Sequence, residues 1–341
     1  MRLNGKALLA AAGMFALSWS PAMAYEAGGN GQTKAGVLIG ASAGVPPPGI
    51  YMINQVFTVQ GNFAGPGTAT IGTKAGVHAD VDVQAFLFVP GWTFLGATYD
   101  AVIAQPFVDL SIGAPVNFQA AGVHNTYIVP VELSWKLGTS GFLIKTGLGI
   151  YTPDGTQTTF NGLGNQGAPF WTFQPEIIVS YLKDGWNLSA AVYAEFNTRN
   201  SLTQYQSGDI LHADFTATKT IGKWTFGPVA YYYGQVSDDS CGLSCVASYG
   251  GSNPITTGLG NLQRFDVWAV GGLVAYDFGP AALSVWATQE VSAKASNPAL
   301  TAAALADGSL VSEGSTVFAT LSYRLWGPDD AQPVKTSMYH K

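Results

Sequence analysis

Charged side chains are scarce in this chain. Asp, Glu, Lys and Arg make up 11% of the 341 residues, which is about half the usual share for a soluble domain. Acidic residues outnumber basic ones, and the formal net charge is −6. This argues against nucleic acid as a partner, because proteins that bind it need a basic surface to meet the phosphates.

Long hydrophobic runs are also missing after the first 24 residues, although hydrophobic residues make up 47% of the chain. A helix that crosses a bilayer needs about 18 or more consecutive apolar residues. The sequence therefore excludes spanning helices. Apolar residues that are numerous but never form such runs indicate strands, in which they occupy alternate positions.

The one exception is the N-terminus. Arg2 and Lys6 supply positive charge, Leu8–Trp19 is apolar, and Ala22-Met23-Ala24 is a small-residue cleavage motif. This is the pattern of a secretory signal peptide. We therefore expect residues 1–24 to be removed during export.

Cysteine and histidine are rare, with 2 and 4 residues in the chain. Cys241 and Cys245 lie in one long connection, and an exported protein enters an oxidising compartment. We therefore expect a disulfide between them, because a zinc site would need more ligands. The spacing of His212 and Asp214 fixes no coordination geometry, so we expect no metal and no cofactor.

After Ile50 the chain reads as β-segments whose connections alternate between short and long. The short connections fall at Gly91, Gly138–Gly141, Asp184-Gly185, Gly222-Lys223 and Gly279-Pro280. The long connections are 64–76, 113–122, 153–170, 199–208, 237–261 and 292–314. An outer-membrane β-barrel has this arrangement, because its periplasmic turns are short and its extracellular loops are long.

We therefore predict an all-β fold, a transmembrane antiparallel β-barrel of twelve strands across residues 50–326. Most of the segments exceed the roughly 9–11 residues that a tilted spanning strand needs. The predicted strands are 50–63, 77–90, 92–112, 123–137, 141–152, 171–183, 186–198, 209–221, 223–236, 262–278, 281–291 and 315–326. Trp92, Trp186 and Trp224 each begin a strand after a short turn, as expected for an aromatic girdle at a membrane interface.

Polar and apolar residues alternate along most of these strands, and we predict that the apolar set faces lipid. In 171–183, for example, Phe173 and Ile177 alternate with Gln174 and Glu176. The polar set then lines the lumen.

The same rule gives two less obvious expectations. In 77–90 it turns His78 and Asp80 inward, and in 123–137 it turns Tyr127 toward lipid and Glu132 inward. No face is assigned to 92–112, because that segment alternates poorly.

The predicted lumen-lining residues are mostly ionisable, as in a selectivity zone that biases which solutes pass. They are Asp80, Asp82, Glu132, Lys136, Lys145, Glu176, Glu195, His212, Asp214, Arg264, Asp266, Glu290 and Arg324. The alternative is a structural network that fills the barrel and satisfies its own charges.

Glu176 and Glu195 lie on strands joined by a two-residue turn. Counting outward from that turn puts them at nearly equal height, so we expect them in one neighbourhood with a cation supplied by Lys136, Lys145 or an arginine.

Two terminal segments remain. Residues 25–49 are rich in Gly and Ala and form either a periplasmic tail or a plug in the lumen. Residues 327–341 form a tail after the last strand, so the aromatic end of the barrel is internal.

Two stretches of sequence carry a family resemblance. They are Val45-Pro46-Pro47-Pro48-Gly49-Ile50-Tyr51, and Phe196-Asn197-Thr198-Arg199-Asn200 with Thr203, Tyr205 and Ser207-Gly208-Asp209. They resemble the PPPG-Y opening and the FN-x-x-N…T-x-Y-x-SGD stretch of the MetA-pathway of phenol degradation family. The resemblance extends from about Pro46 to Trp326.

The resemblance implies a Gram-negative outer-membrane barrel associated with aromatic degradation and often called a transporter. We accordingly expect a channel for passive uptake of small apolar or aromatic solutes. Its other partners would be outer-membrane lipid, lipopolysaccharide and the barrel-assembly machinery. The alternative is a structural or surface-interaction barrel with a closed lumen. An enzyme is not expected, because the chain has no GxSxG motif and its histidines share a face with the polar set.

Overall fold

A computed structural model describes residues 31–71, 74–115, 117–157, 166–257, 264–297, 307 and 309–328. Twelve long strands form its wall, and two short strands accompany them. The long strands are β1 (Gly49–Ala64), β2 (Gly76–Val89), β4 (Ala97–Ile112), β6 (Tyr127–Lys136), β7 (Phe142–Tyr151), β8 (Thr172–Lys183), β9 (Trp186–Asn197), β10 (Ile210–Ile221), β11 (Trp224–Gln235), β12 (Phe265–Asp277), β13 (Ala281–Ala295) and β14 (Val311–Trp326). The short strands are β3 (Thr93–Phe94) and β5 (Phe118–Val123).

The wall is closed. Each long strand pairs antiparallel with its neighbours in sequence order, and β1 pairs with both β2 and β14. The prediction of a twelve-strand antiparallel barrel is therefore confirmed. Closure leaves no long unpaired edge, which is what allows strands to span a membrane.

The helices are short. They are α1 (Thr68–Ile71), α2 (Leu243–Ser248) and α3 (Pro254–Thr257). None of the helices in the described ranges has the length and apolar character of a membrane span. The predicted signal peptide and all but the first two residues of the predicted C-terminal tail lie outside the described residues.

The two ends of the barrel differ, and we call them the short-turn end and the long-loop end. At the short-turn end, the Asp184-Gly185 turn joins β8 to β9, with φ of +52° and +79°. Two successive positive φ values define the tight hairpin turn that an Asp-Gly pair favours. A Cβ at Gly185 would also lie 2.7 Å from the carbonyl oxygen of Thr220. The turn therefore depends on glycine.

Two predicted strands have different bounds in the structure. The segment predicted as 92–112 is divided into β3 and β4 by a tight turn at Leu95-Gly96, where φ is positive. The segment predicted as 123–137 begins at Tyr127, and β5 lies in what was predicted to be a loop. β5 pairs with the half of β4 nearer the long-loop end, and β6 pairs with the half nearer the short-turn end. β5 and β6 together therefore take the place of one interrupted strand beside β4.

The faces of β8 and β9 agree with the prediction. Gln174 and Glu176 are buried, whereas the alternate residues Phe173 and Ile177 are 40% and 45% exposed. Glu195 on β9 is likewise buried. Most of the wall thus presents apolar side chains outward and polar side chains to the lumen.

On β2 the prediction of which face points inward was wrong. Val77, Val81 and Val83 are buried, whereas Asp80 is 63% exposed on the outer face. Alternation divides a strand into two faces but does not say which face is inside when the lumen itself is filled. Here the inner wall packs against apolar residues of the N-terminal segment, so the apolar set of β2 points inward.

On β6 a β-bulge explains a second error. The register shifts between Ile128 and Glu132, and a bulge exchanges the two faces of a strand. Tyr127 therefore points inward with 1% exposure, although Glu132 also points inward.

The tryptophans expected at the interface are exposed beside the short turns, with Trp92 at 64%, Trp186 at 43% and Trp224 at 53%.

Candidate transport lumen

Residues 31–48, which we call the lumen segment, run through the inside of the barrel before β1 begins. Residues 31–39 and 41–44 are all buried. Among the described residues, its backbone–backbone hydrogen bonds are three turn-like contacts, such as Ala41 N to Leu38 O at 2.9 Å. Its backbone is held instead by side chains of the wall.

Glu195 on β9 forms the first of these anchors. Its carboxylate accepts hydrogen bonds from the backbone N–H groups of Gln32 at 3.0 Å and Thr33 at 2.8 Å. It also lies 3.1 Å from Nε2 of His212. The His212 ring is stacked between Tyr193 and Tyr233, with ring centroids 4.5 and 5.8 Å away.

Asp214 on β10 forms the second anchor. One carboxylate oxygen accepts from the N–H of Gly36 at 3.0 Å, and the other accepts from the N–H of Leu38 at 2.9 Å. Hydrogen bonds to an ionised acceptor are stronger than neutral ones. Asp214 therefore fixes the middle of the lumen segment.

Glu290 on β13 forms the third anchor through a charge. It lies 3.3 Å from Nζ of Lys34, which is fully buried, and it accepts a hydrogen bond from the Tyr231 hydroxyl at 2.7 Å. The ammonium group also lies 5.2 Å from the centre of the Tyr231 ring, within the range of a cation–π interaction.

Neutral side chains hold the rest of the segment. Thr216 accepts from the N–H of Gly40 at 2.8 Å, and Ser180 accepts from the N–H of Ala43 at 2.8 Å. The indole N–H of Trp286 donates to the Gly36 carbonyl at 3.1 Å. The lumen segment is thus hydrogen-bonded along its length by inward-facing side chains, with no strand pairing to the wall.

A second polar cluster lies on β4, β6 and β7. Lys145 on β7 contacts Asp100 at 2.8 Å and Glu132 at 3.3 Å, and all three side chains are fully buried. Glu132 and Glu176 both lie over Gly147, where a Cβ would be 2.9 Å from Cγ of Glu132 and 3.1 Å from Oε1 of Glu176. Sequence reasoning missed Asp100, because the alternation of its strand is interrupted by a bulge.

The expected Glu176–Glu195 pair is not at one height. Glu176 lies opposite Tyr193, which puts Glu195 one inward position nearer the long-loop end. Lys145 is the cation of the Glu132 cluster, whereas Glu195 is paired with His212 and the lumen segment. Counting outward from the Asp184-Gly185 turn gives this same register, so the difference is the two-residue offset of Glu195, which is enough to give the two carboxylates different partners.

Several predicted lumen residues lie elsewhere. The residues whose side chains are outside the lumen are Asp80, Asp82, Lys136, Arg264 and Asp266. Asp80 and Asp82 are on the outer face of β2, where Asp82 accepts a hydrogen bond from Asn54 at 2.8 Å. Lys136 is exposed at the end of β6, and Asp266 alternates with the inward Val267.

Arg264 and Arg324 lie at opposite ends of the barrel. Arg264 precedes β12 at the long-loop end and pairs with the exposed Asp238 at 2.8 Å. Arg324 is partly exposed at the short-turn end, where it donates to the Pro48 carbonyl at 3.0 Å. Neither residue belongs to the polar clusters of the mid-lumen.

The inner wall has two unlike halves. Strands β6 to β13 carry most of the buried acids and tyrosines, whereas the inward residues of β1, β2 and β4 are mostly apolar; exceptions include Tyr51 on β1 and Asp100 on β4. These apolar residues include Ile53, Phe57, Val59, Val77, Val81, Val83, Leu87, Val102, Val108 and Leu110.

Two loops contact each other at the long-loop end. Asp239 accepts hydrogen bonds from the Tyr205 hydroxyl at 2.6 Å, the Gly208 N–H at 2.7 Å and the Gln235 amide at 2.8 Å. Burial raises the pKa of the Asp239 carboxyl to about 7, although these three donors oppose the shift.

Cys241 and Cys245 are joined by a disulfide in the same loop. Cys245 packs with Tyr205 and Ile255 in a small apolar cluster above the barrel. The disulfide and the Asp239 contacts therefore belong to one structured cap.

The family model described as "Putative MetA-pathway of phenol degradation" matches residues 59–305. The chain belongs to this family. No curated protein matches the sequence. The motif residues Tyr205 and Gly208 are among those that meet Asp239, so part of the family signature builds the cap.

Two solved structures of outer-membrane channels align with this chain. An outer membrane channel from Pseudomonas putida F1 aligns with a TM-score of 0.63 and 10% identity, over 81% of this chain and 96% of that chain. The TodX monoaromatic hydrocarbon channel, as a deltaS2 mutant, aligns over 95% of this chain and 99% of that chain, with a TM-score of 0.42 and 10% identity. At such identities, the first likeness shows a shared fold and the second supports no inference.

Proposed function

We propose that this family member is an outer-membrane channel for passive uptake of small neutral apolar or aromatic solutes, and that the lumen segment closes it in the present conformation. The mature chain would be exported by its signal peptide, and the short-turn end would face the periplasm. The observation that carries the proposal is the way the lumen is filled. One folded-back segment occupies it, and wall side chains hold that segment.

The chemistry of the wall supports a neutral solute. Six inward carboxyl groups face the lumen, namely Asp100, Glu132, Glu176, Glu195, Asp214 and Glu290. The other inward residues of β1, β2 and β4 are mostly apolar. An anion would meet like charge on one side and hydrocarbon on the other, and both are unfavourable. An uncharged ring can pack against the apolar residues without a comparable free-energy cost.

A second candidate function is a structural barrel whose lumen never opens. It is favoured by one observation, the near-complete burial of the inner side chains, such as Tyr51, Tyr151 and Val267 at 0–1% exposure. The two functions differ in whether the lumen segment leaves its anchors.

Uptake by whole cells tests the solute class. Cells of a Gram-negative host with the protein in the outer membrane are compared with cells carrying the empty vector, using radiolabelled toluene, phenol and benzoate. We expect faster initial uptake of toluene and phenol and no change for benzoate. Equal rates for all three solutes with and without the protein would contradict the proposed function.

A further inference from the structure

A cavity of about 190 Å³ remains at the short-turn end of the lumen. It lies between the lumen segment and the inner wall formed by β8 to β13. Ile39 of the lumen segment, Leu273 of β12 and Trp286 of β13 make its apolar side. The Trp286 ring is held in place by stacking on Phe318, with centroids 4.9 Å apart and planes 10° from parallel.

Hydroxyl groups make the other side of the cavity. Thr218 and Ser284 both line it, and within the described residues neither side chain makes a hydrogen bond. Thr220 and Thr225, by contrast, are bonded to each other at 2.7 Å. Both hydroxyl groups border the open space of the cavity, so Thr218 and Ser284 can hydrogen-bond to whatever occupies it.

The volume of the cavity and the charges along it restrict which molecules can bind there. An apolar cavity of about 150 Å³ is large enough to hold benzene, so this one admits a single ring with one small substituent. The only charged residues along it are Lys183 and Asp184, which lie at the exposed turn. The inner part of the cavity therefore favours an uncharged molecule.

We propose that this cavity is a binding site for a neutral single-ring molecule that carries one hydroxyl or carbonyl group. The ring lies against Leu273 and Trp286, and its substituent hydrogen-bonds to Thr218 or Ser284. Because Ile39 and Gly40 complete the wall, the site exists only while the lumen segment is docked. That a solute would occupy this site last, before it leaves the barrel at the short-turn end, rests on the proposed function. Binding of the ligand to the purified protein does not.

Calorimetric titration of the purified wild-type barrel in detergent, with phenol, toluene and benzoate, tests the site. We expect one saturable site for phenol, weaker saturable binding of toluene to the same site because it lacks the hydroxyl group, and no binding of benzoate. Thr218→Val and Ser284→Ala should each weaken phenol binding by up to about fivefold, which corresponds to the loss of one net hydrogen bond. Toluene should bind these variants as it binds the wild type.

Ser284→Phe should abolish binding of both ligands, because the new ring fills the cavity. Leu283→Phe is the matched control, since Leu283 is the neighbouring residue on the outer face with 36% exposure. Binding that survives Ser284→Phe, or the absence of saturable binding to the wild type, would overturn the site. Because no transport is measured, a failure here is distinct from a failure of the channel.

Discussion

Asp214→Ala should release the lumen segment. The substitution removes both acceptors of the Gly36 and Leu38 N–H groups, which lie 3.0 and 2.9 Å from the carboxylate. A hydrogen bond to a charged group contributes about 1.5–3 kcal/mol, so two such bonds contribute about 3–6 kcal/mol. Water entering beside Ala offsets part of this loss. We therefore expect the low end, which is a shift of about 100-fold in the docking equilibrium.

The shift can be measured as cysteine reactivity. Ala35 is fully buried in the lumen segment, and the two native cysteines are bonded to each other. A cysteine substituted at Ala35 therefore reacts with a water-soluble maleimide only when the segment leaves its anchors. Its labelling rate should rise about 100-fold on adding Asp214→Ala.

Asp80→Ala provides the control, because it removes the same side chain from the outer face of β2, away from the lumen segment. It should leave the labelling rate unchanged. An unchanged rate in Asp214→Ala would refute the reasoning that Asp214 anchors the segment. Equal increases in both variants would mean that loss of an aspartate destabilises the barrel in general.

Three further predictions concern the cap and the second polar cluster. Because the pKa of Asp239 is raised to about 7, its folded form holds a proton that the unfolded loop releases near pH 4. The cap should thus be strongest below about pH 4 and weaken as the pH rises through about 7. This should be seen as a fall in the protection factor of the Gly208 amide, which is the intrinsic hydrogen-exchange rate at the same pH divided by the observed rate. Asp239→Asn should remove this pH dependence, and a protection factor that is flat in the wild type would contradict it. Reducing the Cys241–Cys245 bond should leave the barrel's thermal midpoint nearly unchanged, since the bond closes a short surface loop, and a large drop would show that the cap supports the wall. Gly147→Ala should lower that midpoint, because its Cβ would meet Glu132 at 2.9 Å and overpacking costs about 1–3 kcal/mol; Gly272→Ala, whose nearest neighbour is 4.0 Å away, should not, and similar shifts in both would refute the steric explanation.

The strand order and most of the wall could be predicted from the sequence, because turn residues and two-residue periodicity are local signals. The inner face of β8 and β9 followed from these signals, and so did Glu132, Lys145 and Glu290. The sign of the faces on β2 could not, because it depends on what fills the lumen.

Because of β-bulges, a further part of the site could not be predicted from the sequence. Asp100 contacts Lys145, but its strand carries a register shift beside it, and periodicity cannot be followed across a shift. The contacts of the lumen segment were equally out of reach. Most of them join residues more than 130 positions apart, such as Thr33 and Gln174, and no local pattern records them.

Conductance of the purified protein in planar bilayers, with and without residues 31–46, tests the central claim most directly. The claim is that the barrel is a conduit which the lumen segment closes. The wild type should be silent or open rarely, and the deletion variant, shown to be folded by its heat-modifiable migration, should give long-lived openings. A folded deletion variant that conducts nothing would contradict the account and favour a barrel that never opens.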